Sequence, residues 1–415
     1  MSLFSNNYRK LLVVLATLTT PLFSLLILPV SSSKLTIEEY GIISSLTLFI
    51  AYVSSIHGFC SATYFARDYY KTKEICILLS NVILVYLASL VIIISVVFVT
   101  SFYIVKLFSI SHIYMYMGLL ICFIDSLVSL NLLYLRLCDD LILFSAITIF
   151  KPLLFSSIYI FFLQNEYGLH SYFISSIFVS SVFMLVTFFV FIKKKLICFT
   201  FDIKIILKIL KYGFGLLPHT VFGVLSVSID KLFVLKILST NSLAIYSLAF
   251  SIASVVKLVE GSVYLIYQPW LFKNLSSKKV GKKKVIRISL ILILTLLLFT
   301  IIYIKLVSYA FPLFVDQKYN DSLFLIPYFV LGFFINGIYT VSNQFLLFDN
   351  KTTTVSLITV LTVLLGSLFS YILTTKIGLY GAVYAFITVF FFRTVLTLIA
   401  TSRLSIFQKN LIEQS

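Results

Sequence analysis

Residues 76–105 read CILLSNVILVYLASLVIIISVVFVTSFYIV, thirty positions without a single charged side chain. The hydrocarbon core of a bilayer, about 30 Å thick, is crossed by roughly 20 apolar residues in helical form, so this stretch reads as a membrane-spanning helix. Working outward, charge and turn clusters bound eleven further apolar runs, at 11–30, 40–66, 112–135, 141–163, 170–192, 212–236, 242–270, 286–311, 322–348, 354–375 and 379–402. The whole 415-residue chain is 60% hydrophobic and 11% charged, with a mean hydropathy of +1.10. Too little polar material remains to cover a water-soluble surface, which sets the class as a polytopic, all-α membrane protein.

The formal charge of +17 does not indicate a nucleic-acid partner, because the basic residues sit in loops between apolar runs and not on one solvated face. They report orientation. With the N-terminus inside, 22 Lys and Arg fall on the inner side, including Lys193, Lys194, Lys195, Lys204, Lys208, Lys211, Lys278, Lys279 and Lys409. The outer side holds six: Lys34, Lys106, Lys236, Lys305, Lys318 and Lys376. The positive-inside rule places both termini in the cytoplasm, consistent with twelve spans. Arg9 and Lys10 before the run 11–30 imitate a secretory signal, but the run is long and lacks a small-residue cleavage site, so it reads as a retained span.

The longest polar connection, 193–211, divides the chain into six-helix bundles at 1–192 and 212–415. Gly168-Leu169 before the sixth span returns as Gly378-Leu379 before the twelfth, 210 residues later, and the turn 34–40 before the second span is answered by 240–246 before the eighth. Two matches at equivalent places suggest parallel repeats enclosing a central cavity. Five cysteines without a CxxC pair or a histidine cluster give neither a disulfide framework nor a metal site, and Walker or Gly-rich phosphate loops are absent. No cofactor is expected.

Ionisable residues within spans carry the functional signal, since a charge at the bilayer centre costs on the order of 3 kcal/mol. They are Asp125, Lys151, Lys257, Glu260 and Arg393. Lys151 and Arg393 have no partner nearby in sequence, and Asp125 is the least paired acid, a protonation candidate that a serine could also satisfy. Lys257 and Glu260 have the three-residue spacing of a local ion pair. Asp230 and Lys231 fall near the outer end of the seventh span, where they can snorkel, and Arg67 with Asp68 lies at the inner boundary. His57 and His219 rank below Asp125 as proton carriers. Asn336, Asn343 and Gln344 suit either sugar hydroxyls or interhelical bonding. Pro21, Pro29, Pro152 and Pro218 permit kinks. Asp139-Asp140 imitates a metal pair but lies on the inner side. The slightly positive balance of the intramembrane group suits a phosphate or pyrophosphate cargo.

Several stretches, in order, resemble the bacterial polysaccharide (O-antigen type) repeat-unit flippases, the Wzx-like branch of the multidrug/oligosaccharidyl-lipid/polysaccharide exporter superfamily. They are Leu28-Pro29-Val30 through Leu35-Thr36 and Glu38-Glu39-Tyr40-Gly41, Tyr212 to His219 with Ser226 to Lys231, Ile245 to Ala249, and Gly378 to Ala385. The sequence departs from that pattern at Leu365-Gly366-Ser367-Leu368, where asparagines are common in the family, and at Lys231, where arginine is frequent. The resemblance implies a MATE-like fold of twelve helices with pseudo-twofold parallel repeats, in a bacterial cytoplasmic (inner) membrane. It implies no enzyme, but a flippase for undecaprenyl-pyrophosphate-linked oligosaccharide in O-antigen or lipopolysaccharide biosynthesis. The cargo and membrane lipid would be its partners, with H+ or Na+ as coupling ion and contacts to polysaccharide polymerase machinery. Lys151, Lys257, Arg393, Arg67 and Lys231 would then engage pyrophosphate or glycan, with Asp125, Glu260 and Asp230 as coupling acids. A drug antiporter of the same superfamily would prefer an acidic cavity, and a polysaccharide polymerase would want a long outer loop with basic residues.

Overall fold

The computed structural model describes residues 2–198, 200–277, 282–349 and 351–404; Lys278, Lys279 and Lys409 of the inner basic set lie outside them. The described residues form fourteen α-helices and no strand, in two compact units, Met1–Val224 and Leu225–Ser415. All twelve apolar runs fall on helix. Eleven helical stretches are long and apolar enough to cross a membrane, so this is a multi-pass membrane protein. The expected seventh span, which is not among those eleven, lies on α8 (Ile203–Phe233) and the π-helical turn Val234–Leu238 that follows it.

The first unit contains α1 (Ser2–Lys34), α2 (Ile37–Ile56), α3 (Ser61–Asp68), α4 (Ile75–Phe108), α5 (His112–Leu137), α6 (Leu141–Gln164), α7 (His170–Lys193) and α8 as far as Val224. Its entry turn is set by a capping box: Thr36 Oγ1 accepts from Glu39 N at 3.1 Å while Thr36 N donates to Glu39 Oε2 at 2.8 Å. The second carboxylate oxygen of Glu39 accepts from Leu169 N at 3.1 Å, so one side chain ties the turn before α2 to the turn before α7. Gly168, in the left-handed region at φ +50°, makes that approach possible, since a Cβ there would stand 2.6 Å from Glu39 Oε1. Its sequence counterpart Gly378 is also left-handed, at φ +66°. Tyr64, Phe65, Leu79, Val128, Leu135, Phe191 and Ile209 lie together in the core of this unit.

The second unit holds the rest of α8, then α9 (Thr240–Ala253), α10 (Val255–Ser277), α11 (Lys282–Phe314), α12 (Asn320–Phe348), α13 (Thr352–Ile377) and α14 (Leu379–Ser402). Tyr246, Phe250, Phe329, Phe333 and Phe386 meet edge to face at centroid separations of 4.8–5.9 Å, contacts that add specific geometry to apolar burial. In both units the second span packs on the fourth and the fourth on the sixth: α2 on α5 and α5 on α7, then α9 on α12 and α12 on α14.

The helices α6 and α8 run on through Pro152 and Pro218, positions where the sequence permits kinks. The second span instead breaks at a proline-free segment, where Gly58, Phe59 and Cys60 have φ of 71°, 46° and 56°. The break is stabilised by packing: Gly58 N donates to Ser89 Oγ at 2.8 Å, and α8 comes so close that a Cβ on Gly213 would lie 1.9 Å from Phe59 O. A correction concerns the cysteines. A disulfide joins Cys76 and Cys198, with Cα atoms 5.8 Å apart across 122 residues. Spacing gave no sign of it because the return of the loop after α7 onto α4 brings the two together.

Candidate functional site

Each unit carries a polar cluster inside its helices. In the first, Lys151 Nζ of α6 lies 2.6 Å from Asp125 Oδ1 of α5, and Ser180 of α7 donates to the same oxygen at 2.6 Å. Sequence reading left Asp125 the least paired acid, which the structure corrects; Lys151, with no partner nearby in sequence, finds one on a neighbouring helix, 26 residues away. The pair is only partly covered, with side-chain exposures of 25% and 41%. Each charge compensates the other.

The second cluster is built on α12. Asn336 and Thr340, four residues apart, lie on one face and donate to Glu260 Oε1 of α10 at 2.9 and 2.5 Å. Glu260 is buried, and its other oxygen finds no hydrogen-bond partner among the described residues. Lys257, whose three-residue spacing left a local ion pair open, is exposed and makes no direct salt bridge among the described residues, although its charge acts on Glu260. Glu260 borders a cavity of about 200 Å³ between α10, α11 and α12, walled largely by Val263, Leu292, Leu296, Phe299 and Val341.

Arg393 of α14 meets α12 one residue away from Thr340. Its Nη2 donates to Tyr339 Oη at 3.0 Å and to Thr359 Oγ1 of α13 at 3.4 Å, and the guanidinium lies 4.1 Å over the Tyr339 ring. Its Nε is buried without an acceptor, and no carboxylate pairs with it among the described residues. Cation and carboxylate are thus held by adjacent residues of one helix: Tyr339 supports Arg393, Thr340 supports Glu260.

The remaining candidates are distributed elsewhere. Asp230 is buried, at 4% exposure, and accepts a hydrogen bond from Tyr246 Oη, so it does not snorkel as anticipated. Lys231 Nζ stands 3.5 Å above the Phe250 ring. Arg67 is exposed, 3.8 Å from Asp68 and 5.1 Å over the Tyr212 ring. His57 is buried against Tyr86 and Phe123, and His219 is exposed. Asn343 and Gln344 are buried on α12, where Gln344 donates to Thr340 O at 3.1 Å. Asp140 pairs with Lys194 at 2.6 Å, and this bond holds the Lys194 ammonium above the usual lysine range. Tyr339, Thr340, Thr359 and Ser180 were not singled out from sequence, and Tyr246 stood out only within the stretches 240–246 and 245–249. Only the four-residue spacing of Asn336 and Thr340 was there to be read.

No protein-family model matches the chain, and no curated protein sequence matches it. Solved structures do. An inward-facing multidrug resistance MATE family transporter of the MOP superfamily aligns with a TM-score of 0.71 and 12% identity, over 97% of this chain and 99% of that one. The lipid II flippase MurJ, in an inward closed conformation, aligns with a TM-score of 0.71 and 16% identity, over 97% and 91%. A point mutant of the Vibrio cholerae MATE transporter VcmN aligns at 0.60 and 12%, over 98% and 96%. What the chain shares with these transporters and this flippase, along nearly its whole length, is the MATE/MurJ-like membrane fold.

Proposed function

We propose that the chain is a flippase that moves undecaprenyl-pyrophosphate-linked oligosaccharide repeat units from the cytoplasmic to the outer leaflet of a bacterial inner membrane, by ion-coupled alternating access of its two halves. The observation that carries this reading is Arg393: a guanidinium within a membrane-spanning helix, oriented by Tyr339 and Thr359, with Glu260 in electrostatic reach but no direct salt bridge to a carboxylate among the described residues. A charge so placed calls for an anion, and a pyrophosphate offers the bidentate oxygens that a guanidinium fork matches. Lys257, exposed and outside any salt bridge among the described residues, is the second contact. Lys151 is relieved of that role by Asp125. Lys231 and Arg67, held over aromatic rings, are secondary glycan or phosphate contacts.

Glu260 is the coupling acid. Loading a proton or Na+ on its free oxygen alters the bonds from Asn336 and Thr340, and α12 passes that change to Tyr339 and so to Arg393. Asp125 and Asp230 are less suited, being committed to Lys151 and Tyr246. The test is export in cells bearing the rest of a surface-polysaccharide pathway, with the gene deleted, restored, or carrying Arg393→Ala. Single repeat units accumulating on the cytoplasmic side, relieved only by the wild-type gene, support the proposal. Accumulation on the outer side reassigns the protein to polymerisation.

The Glu260 cavity favours a second reading, a small-molecule antiporter. A buried carboxylate beside an apolar space of about 200 Å³ also suits a lipophilic cation. In that case deletion sensitises cells to such cations, Glu260→Gln reproduces the effect, and glycan export is unchanged.

A further inference from the structure

The first turns of α8 divide into three faces. At 100° per residue, Ile205, Ile209, Tyr212 and Gly213 point one way, and there Ile209 is fully buried against the core of the first unit. Ile203, Leu207 and Phe214 fall within about 40° of one another and are 52%, 58% and 55% exposed. Lys204, Lys208 and Lys211 form a third stripe, about 90° from the second, and all three are exposed. Phe201, 69% exposed, extends the apolar stripe into the preceding loop.

The stripe is held in place from below. Asp202 Oδ1 caps the helix, accepting from Lys204 N at 2.8 Å and Ile205 N at 3.3 Å, while Asp202 N donates to Asn81 Oδ1 at 3.1 Å. Cys198 N donates to Ser80 Oγ at 2.9 Å, and the Cys76–Cys198 bridge fixes the same loop to α4. Positive charge alone would satisfy the orientation rule from any loop. Here three lysines stand in a row about 10 Å long beside an apolar stripe that stays more than half exposed at each position, Phe214 touching only the Phe59 ring at 5.2 Å between centroids among the ring contacts of the described residues.

We infer that this face of α8 is a docking surface for anionic phospholipid, with headgroup phosphates on Lys204, Lys208 and Lys211 and acyl chains along Leu207 and Phe214. Charge complementarity and the abutting apolar stripe identify the occupant: a soluble anion would have no use for the exposed Ile203, Leu207 and Phe214, and a neutral lipid none for the lysines. The inference does not depend on the flippase reading.

The test is native mass spectrometry of the purified full-length chain, titrated with phosphatidylglycerol or phosphatidylcholine. The wild type retains phosphatidylglycerol in preference, the more so at low salt. A Lys204→Gln/Lys208→Gln/Lys211→Gln variant loses at least ten-fold in that preference, a lysine near an anionic surface being worth roughly five-fold. Lys305→Gln/Lys376→Gln, on the other side of the membrane, changes nothing. The triple arginine variant retains the preference, which ties it to positive charge at these positions, and the salt titration of the wild type stands without any variant. Equal retention of the two lipids by the wild type overturns the inference. So does an unchanged preference in the glutamine variant, or displacement of the lipid by millimolar inorganic phosphate.

Discussion

Removing one member of the Asp125–Lys151 pair should do more harm than removing both. At 2.6 Å and an effective dielectric of about 20, the bare attraction is roughly 6 kcal/mol, from which the desolvation of two charges is subtracted. Exposures of 25% and 41% mean that water or headgroups already reach the pair, and a coupling of about 2 kcal/mol is the figure to test. That is roughly a thirty-fold change in the folding equilibrium. Asp125→Asn leaves an ammonium facing lipid or a neutral amide, and Lys151→Met leaves a carboxylate with only Ser180. The assay is a double-mutant cycle: four purified proteins unfolded by a graded denaturing detergent, with glycan export measured in parallel. The double variant should be more stable than either single one and keep most of its export. Additive single effects would refute the pair as a stabilising unit. A double variant that folds but exports nothing would return Lys151 to the cargo site.

The cluster on α12 gives a second prediction: Arg393→Ala abolishes export without loss of the folded protein, and Arg393→Lys restores only a small part, since an ammonium cannot replace the fork held by Tyr339 and Thr359. Glu260→Gln should leave cargo binding intact and flatten the dependence of export on the ion gradient; a gradient response equal to the wild type's would remove Glu260 from coupling. Gly213→Ala places a methyl group against Phe59 O, where the ideal Cβ lies 1.9 Å away, and should destabilise by about 3 kcal/mol, read as a lower unfolding midpoint. Maleimide labelling of the denatured, unreduced chain should modify three of the five cysteines, Cys60, Cys122 and Cys138; labelling of all five shows that the Cys76–Cys198 bridge is absent in cells.

The helices were legible in the sequence because lipid imposes one strong requirement, an unbroken apolar run, and residues such as those at 76–105 meet it without ambiguity. The glycines at 168 and 378 stood out in the sequence only as a match 210 residues apart; their shared positive φ did not. Partnerships were not legible. Asp125 finds Lys151 on the next helix and Glu260 finds Asn336 76 residues on, and neither separation follows from helical spacing. Lys257 and Glu260 were the opposite case: the spacing was right, yet the carboxylate had better donors across the bundle. The break at Gly58 also escaped, because it depends on Ser89 and on α8 pressing from the side, with no proline to announce it.

That break has a consequence for how the protein tolerates change. Within an unbroken helix, one inserted residue rotates everything downstream by about 100° and turns buried positions out toward lipid. Between Ile56 and Ser61 the helical phase is already interrupted, so the eight residues of α3 keep a register of their own, set by Tyr64 and Phe65 in the core. An insertion scan along 37–68 should therefore find two kinds of damage: an added residue between Gly58 and Ser61 disturbs the local contacts with Ser89 and Gly213, whereas one placed a turn to either side also turns buried positions out toward lipid.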